Sequence, residues 1–122
     1  MTGQRVIVFG SRTWSDSHQI YADLHDLRDL GYHTLVHGAC PSGADFLADI
    51  HGRALGFAIE RHRAQWDEHG RTAGPARNEH MASLGADVAF GYRMGGESRG
   101  TDHMARACER HGIALVRRGR WT

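Results

Sequence analysis

Five short runs rich in apolar and β-branched residues, spaced along the chain and punctuated by glycine, constrain it to an alternating strand–helix plan. They are Arg5–Phe9, His33–His37, Phe57–Arg61, Ala86–Gly91 and Ile113–Val116. Each is too short for a helix and suits a buried parallel strand. Between them, apolar residues recur at helical spacing. The spacing predicts a helix over His18–Leu30 with Ile20, Leu24, Leu27 and Leu30 inward, capped by Asp16 or Ser17. A second covers Ala44–Leu55 with Phe46, Leu47, Ile50 and Leu55 as its apolar face, a third Pro75–Leu84 with proline in its first turn, and a fourth Gly100–Arg110. Gly31, Gly56 and Gly112 end helices. Arg63–Gly74 reads as a long polar connection and Tyr92–Ser98 as a mobile glycine-rich loop. The pattern predicts one α/β domain, a doubly wound parallel sheet of about five strands with helices on both faces, right-handed crossovers and strand order 3-2-1-4-5.

With 122 residues there is material for one core. No run reaches the ~18 apolar residues of a membrane span. The opening residues lack a leader pattern, so an unprocessed, cytoplasmic protein without a membrane partner is expected. A net charge of +1 argues against a surface made to coat nucleic acid. All fifteen basic residues are arginine, which excludes a lysine Schiff base and a Walker lysine and suits bidentate capture of phosphate. Arg117, Arg118 and Arg120 read as a solvated tail. Cys40 and Cys108 fit no metal spacing, nor do His33, His37, His51 and His62 form a ligand set, so neither metal nor cofactor is expected. Cys40 is either a reactive thiol or a small buried residue, the second being simpler.

Ligands of open α/β sheets bind beyond the carboxyl ends of the strands. Four polar segments fall there or in the adjoining connections. Gly10-Ser11-Arg12 follows the first strand. His37-Gly38-Ala39-Cys40-Pro41-Ser42-Gly43-Ala44-Asp45 follows the second and opens a helix, whose free amides make it the best phosphate cradle in the sequence. It is neither a P-loop nor the dinucleotide fingerprint. Arg77-Asn78, which includes the chain's sole asparagine, and Ser98-Arg99-Gly100-Thr101-Asp102 complete the set.

In that order, and with Trp66 and Ala73-Gly74 between, these segments resemble the SLOG superfamily, which takes in DprA-like proteins and the lonely-guy phosphoribohydrolases. The nearest branch is the small stand-alone YspA-like group. The resemblance implies a Rossmann-like sheet, a homo-oligomer (dimer or larger) and a ligand derived from a nucleotide, of nucleoside-monophosphate or ADP-ribose and NAD-related type. The lonely-guy enzymes carry a glutamate three residues beyond the Gly-Thr pair, and Met104 stands at that position here. Methionine neither moves a proton nor stabilises an oxocarbenium-like centre, so that mechanism does not transfer intact. Asp45 and Asp102 are the candidate catalytic carboxylates, with Glu97 and Glu79 behind them.

The leading expectation is a binding module, a sensor or sequestering protein. Gly10, Ser11, Arg12, Gly38, Ala39, Ser42, Gly43, Ser98, Gly100 and Thr101 would line the ligand site around the phosphates, Asp45 and Asn78 would hold ribose, and Arg77 would neutralise charge. Trp66 would stack on a base or pack over the sheet edge or a subunit contact. The alternative is a hydrolase of a nucleotide N-glycosidic bond. Binding of single-stranded nucleic acid ranks third.

Overall fold

A computed structural model describes residues 4–122. Five parallel strands form one sheet, as the alternation predicts, in the expected order β3-β2-β1-β4-β5. They are β1 Gln4–Gly10, β2 Tyr32–His37, β3 Ala58–Arg61, β4 Val88–Arg93 and β5 Leu115–Gly119. The helices are α1 Ser17–Asp29, α2 Gly43–Ala54, α3 Trp66–His69, α4 Ala73–Ser83 and α5 Arg99–Arg110. None of them is long and apolar enough to cross a membrane.

Strand alternation divides the core in two. Val6 and Val8 of β1 face one layer, with Ile20, Leu24 and Leu27 of α1 and Ala44 and Ala48 of α2. Ile7 and Phe9 face the other, with Met81 of α4 and Met104 and Cys108 of α5. Asp16 caps α1 by accepting from the Gln19 amide.

Several boundaries and faces differ from the sequence reading. Helix α2 buries its expected face only in part: Leu47 and Leu55 are half-buried against the core, Phe46 and Ile50 are exposed, and Ala44, Ala48 and Gly52 meet the sheet. A Cβ on Gly52 would stand 3.0 Å from Leu35, so small residues set how closely the helix lies. Leu30 caps α1 and is 72% exposed. The connection after β3 contains α3 and a 3₁₀ turn, Gly70–Thr72, and α4 begins at Ala73. Proline in a first turn lacks only an amide that has no partner there, so Pro75 sits inside α4 without loss. Strand β4 runs through Tyr92 and Arg93, both buried, where a loop was expected.

The arginines near the end are not a solvated tail. Arg117 and Arg118 lie in β5. Arg118 forks onto the buried carboxylate of Asp23 at 2.9 and 3.1 Å, which also accepts the Tyr92 hydroxyl at 2.8 Å. Arg117 bonds Glu109 and lies over Trp121. Arg120 is exposed, but its amide bonds the Arg93 carbonyl.

At the opposite edge Arg5 forks onto Glu60 at 2.9 and 3.1 Å, and His62 adds a third contact at 2.8 Å. The Arg5 bond, ahead of the His62 one, holds the Glu60 carboxyl down to about 2. A lowered folded value stabilises the fold above the unfolded value near 4.5 and ceases to do so as pH falls toward 2. In paired acid-unfolding curves, Glu60→Gln is expected to be less stable than the parent at pH 7, with the gap closing between pH 4.5 and 2. A gap independent of pH would contradict this.

Candidate functional site

The chain leaves β1 toward β2 on one side and reaches β4 on the other, so the loops after β1 and β4 part at the centre of the sheet. A cleft of about 400 Å³ opens there. Its floor is apolar, made by Phe9, Met81 and Met104. Its walls come from all four segments singled out in the sequence.

The β1 segment is held rigidly. The Ser11 amide donates to the Tyr92 carbonyl at 2.8 Å, and the Ser11 carbonyl accepts from Trp14 and Ala44. The Ser11 hydroxyl accepts from the Met94 amide at 3.0 Å and approaches the Ser98 hydroxyl at 3.4 Å. Arg12 is exposed on the cleft wall, and among the described residues its guanidinium has no hydrogen-bond or ion-pair partner. Gly43 explains how this loop meets α2. Its φ is +74°, and a Cβ there would overlap the Ser11 carbonyl oxygen and the Arg12 backbone.

That contact changes the balance between the two helix ends. At α2 the Ala44 amide is already taken by Ser11, so the loop expected to be the best cradle is partly closed. At α5, capped by Ser98, the amides of Arg99, Gly100 and Thr101 have no intrahelical acceptor by geometry and no other among the described residues. The positive end of a twelve-residue helix therefore faces the cleft open.

Arg77 and Asn78 brace the wall. Arg77 donates to the Gly38 and His62 carbonyls and, at 2.8 Å, to the Asn78 side-chain oxygen. Asn78 is buried, and its amide nitrogen reaches the Gly100 carbonyl at 3.4 Å and His103 at 3.3 Å. It ties α4 to the start of α5.

The turn after β2 is organised by His37. Its Nδ1 accepts from the Ala39 amide at 2.9 Å, which leaves the proton on Nε2 to donate to Asp49 at 2.6 Å. Ala39 pays with a left-handed φ of 59°.

The cleft gathers Gly10, Ser11, Arg12, Gly38, Asp45, Arg77, Asn78, Ser98, Gly100 and Thr101. Ala39 lines a separate depression beside α2, Ser42 is the exposed N-cap of α2, and Gly43 serves the packing just described. Trp66 lies outside the cleft, half exposed, with its ring against Gly74.

The carboxylates separate clearly. Asp45 lines the cleft, is buried, and accepts from the Cys40 amide at 3.2 Å; burial pushes its pKa up. Asp102 is bound bidentately by Arg93 at 2.8 and 3.0 Å, and that bond holds its pKa down. Glu97 stands on the rim, bonded to Arg99. Glu79 bonds Arg110 and His111 and is not part of the lining. The Cys40 thiol is pushed up by burial and then by Asp45, which suppresses the thiolate a nucleophile needs.

Sequence reasoning missed Arg93. Buried at the end of β4, it also donates to the Gly96 and Arg120 carbonyls and thereby shapes the 94–98 rim. An arginine closing an apolar run was the available signal, and it was read as the start of a loop. Phe9, the last apolar residue of the first run, and Met81, in the helix predicted over Pro75–Leu84, form the cleft floor, a role the sequence reading does not give them.

A parallel five-stranded α/β sheet with a polar-walled cleft at its topological switch point defines a Rossmann-like α/β domain. The chain belongs to the YspA, cpYpsA-related SLOG family, whose sequence profile matches residues 4–69. It is also 37% identical, over 123 aligned positions, to the Gene 61 protein of Mycobacterium phage D29, covering 95% of this chain and 97% of that one. Membership is consistent with a nucleotide-related ligand.

Proposed function

We propose that the protein binds a nucleotide or nucleotide-derived ligand, of the nucleoside-monophosphate or ADP-ribose and NAD-related class, and acts as a sensor or sequestering module. The observation that carries this reading is the open amino end of α5 facing the same cleft as the unpartnered Arg12. Together they offer backbone donors, a helix dipole and a guanidinium to one phosphate. The apolar floor of Phe9, Met81 and Met104 suits the face of a base or sugar, and about 400 Å³ is within the range of small-molecule sites.

Arg12→Ala is expected to weaken AMP or ADP-ribose binding at least about tenfold in calorimetry, the weight of a charge-assisted hydrogen bond. Its unfolding free energy should change by under about 0.5 kcal/mol, because the side chain is exposed and makes no bond among the described residues. Unchanged affinity would remove Arg12 from the site.

A second reading, cleavage of a nucleotide N-glycosidic bond, is favoured by Asp45. A buried carboxyl with a raised pKa, lining the cleft, is the form able to protonate a departing base. Met104 keeps the usual glutamate position apolar, and Asp102 is committed to Arg93. On this reading Asp45→Asn abolishes release of free base from AMP while AMP binding persists. Release at the parental rate would exclude Asp45, and no release by the parent protein would exclude the reading for AMP.

A further inference from the structure

We propose that the basic groove across Arg77 from the main cleft is a second phosphate subsite, so that a ligand carrying two separated phosphates engages both. The proposal rests on the reading of the main cleft as a nucleotide site. The groove holds about 370 Å³ and is lined by Arg61, His62, Arg63, His69, Arg77 and His80, with no carboxylate among its lining residues. Arg77 lines both hollows, its guanidinium held by the Gly38 and His62 carbonyls as a partition between them.

Of the nearby carboxylates, Glu60 and Asp49 are already engaged, and Glu68 lies 3.7 Å from the lining His69, 71% exposed and outside the lining. Glu60 receives Arg5 and His62. Asp49 receives Arg61, Arg53 and His37. Arg63 and Arg77 have no carboxylate partner among the described residues. Two guanidiniums without a carboxylate partner in a concave surface attract an anion, and the His80 ring, 5.4 Å from that of His62, adds a nitrogen donor beside them, while the His62 Nε2 proton is held by Glu60. Alanines 73 and 76 leave the groove open to a planar or sugar moiety between the phosphates.

The test compares AMP with the dinucleotide pApA, using the protein and the double variant Arg63→Ala/His80→Ala. The variant is expected to bind pApA about tenfold more weakly and AMP within twofold of the parent. Equal loss for both ligands, or no loss for either, would overturn the second subsite. Inorganic phosphate supplies an independent arm, read by NMR of the histidine rings. Shifts at His62 and His80 that vanish in Arg63→Ala support the subsite even where AMP fails to bind, an outcome that refutes the main-cleft reading alone. Phosphate that perturbs neither ring would overturn it.

Discussion

Asp23→Ala is expected to cost about 3 kcal/mol, because it strands a buried hydroxyl and unpairs a cation in one step. Asp23 is 6% exposed and accepts from Tyr92, from Arg118 twice and from Gln19 at 3.2 Å. The Tyr92 ring is fully buried, so its hydroxyl has no water to replace the lost acceptor. Burial first, then the Asp23 carboxylate, pushes the Tyr92 pKa far above its ordinary value, so the phenol stays a donor. Arg118 is 39% exposed and recovers part of its hydration, which keeps the total below that of a fully buried pair. Tyr92→Phe, which removes the donor and leaves the carboxylate with Arg118, is expected to cost only about 1 kcal/mol. Urea unfolding of both variants checks the pair. A loss under 1 kcal/mol for Asp23→Ala would show that the cluster does not join α1, β4 and β5 as described.

Gly43→Ala carries the second large effect, about 3 kcal/mol, from a left-handed backbone combined with steric overlap. Its φ of +74° disfavours any side chain, and a Cβ would enter the Ser11 carbonyl and the Arg12 backbone. Neither atom yields easily, because Ser11 is bonded to Tyr92, Trp14 and Ala44. The damage therefore extends to function: the loop carrying Arg12 must leave α2, and ligand affinity falls with stability. Gly100→Ala is the contrasting case. Its Cβ would meet nothing within 4 Å and its φ is not positive. It is expected to leave stability unchanged or raise it by up to about 1 kcal/mol. Equal destabilisation by the two substitutions would refute the packing role of Gly43.

The alternation of apolar runs carried the parallel sheet because a short strand followed by an amphipathic helix has few ways to return to the same sheet, and the expected order 3-2-1-4-5, one of the doubly wound orders that alternation allows, is the one observed. What the sequence concealed is instructive. In α2 the large apolar residues form the more evident stripe, yet close approach to the sheet selects Ala44, Ala48 and Gly52, and Phe46 and Ile50 turn outward. Hydrophobic periodicity weighs size, whereas packing distance favours its absence. Arg118 of β5 looks like part of a tail because its partner Asp23 lies 95 residues away in the sequence. The polar segments of the cleft were legible because glycine, serine and arginine gathered at strand ends and helix starts have few structural uses in combination. The internal division of labour was not. Arg12 remains open to a ligand while Arg77 and Asn78 brace the wall, and that distinction depends on which carbonyls fold against them.

On the proposed reading, a nucleotide phosphate sits between Arg12 and the amino end of α5. Backbone amide NMR during titration with AMP and with ADP-ribose tests it most directly. At least one of the two is expected to produce saturable shifts concentrated at Ser11, Arg12 and Arg99–Thr101, and these are expected to be lost in Arg12→Ala. Saturation with shifts elsewhere, or no shift with either nucleotide at millimolar concentration, would contradict it.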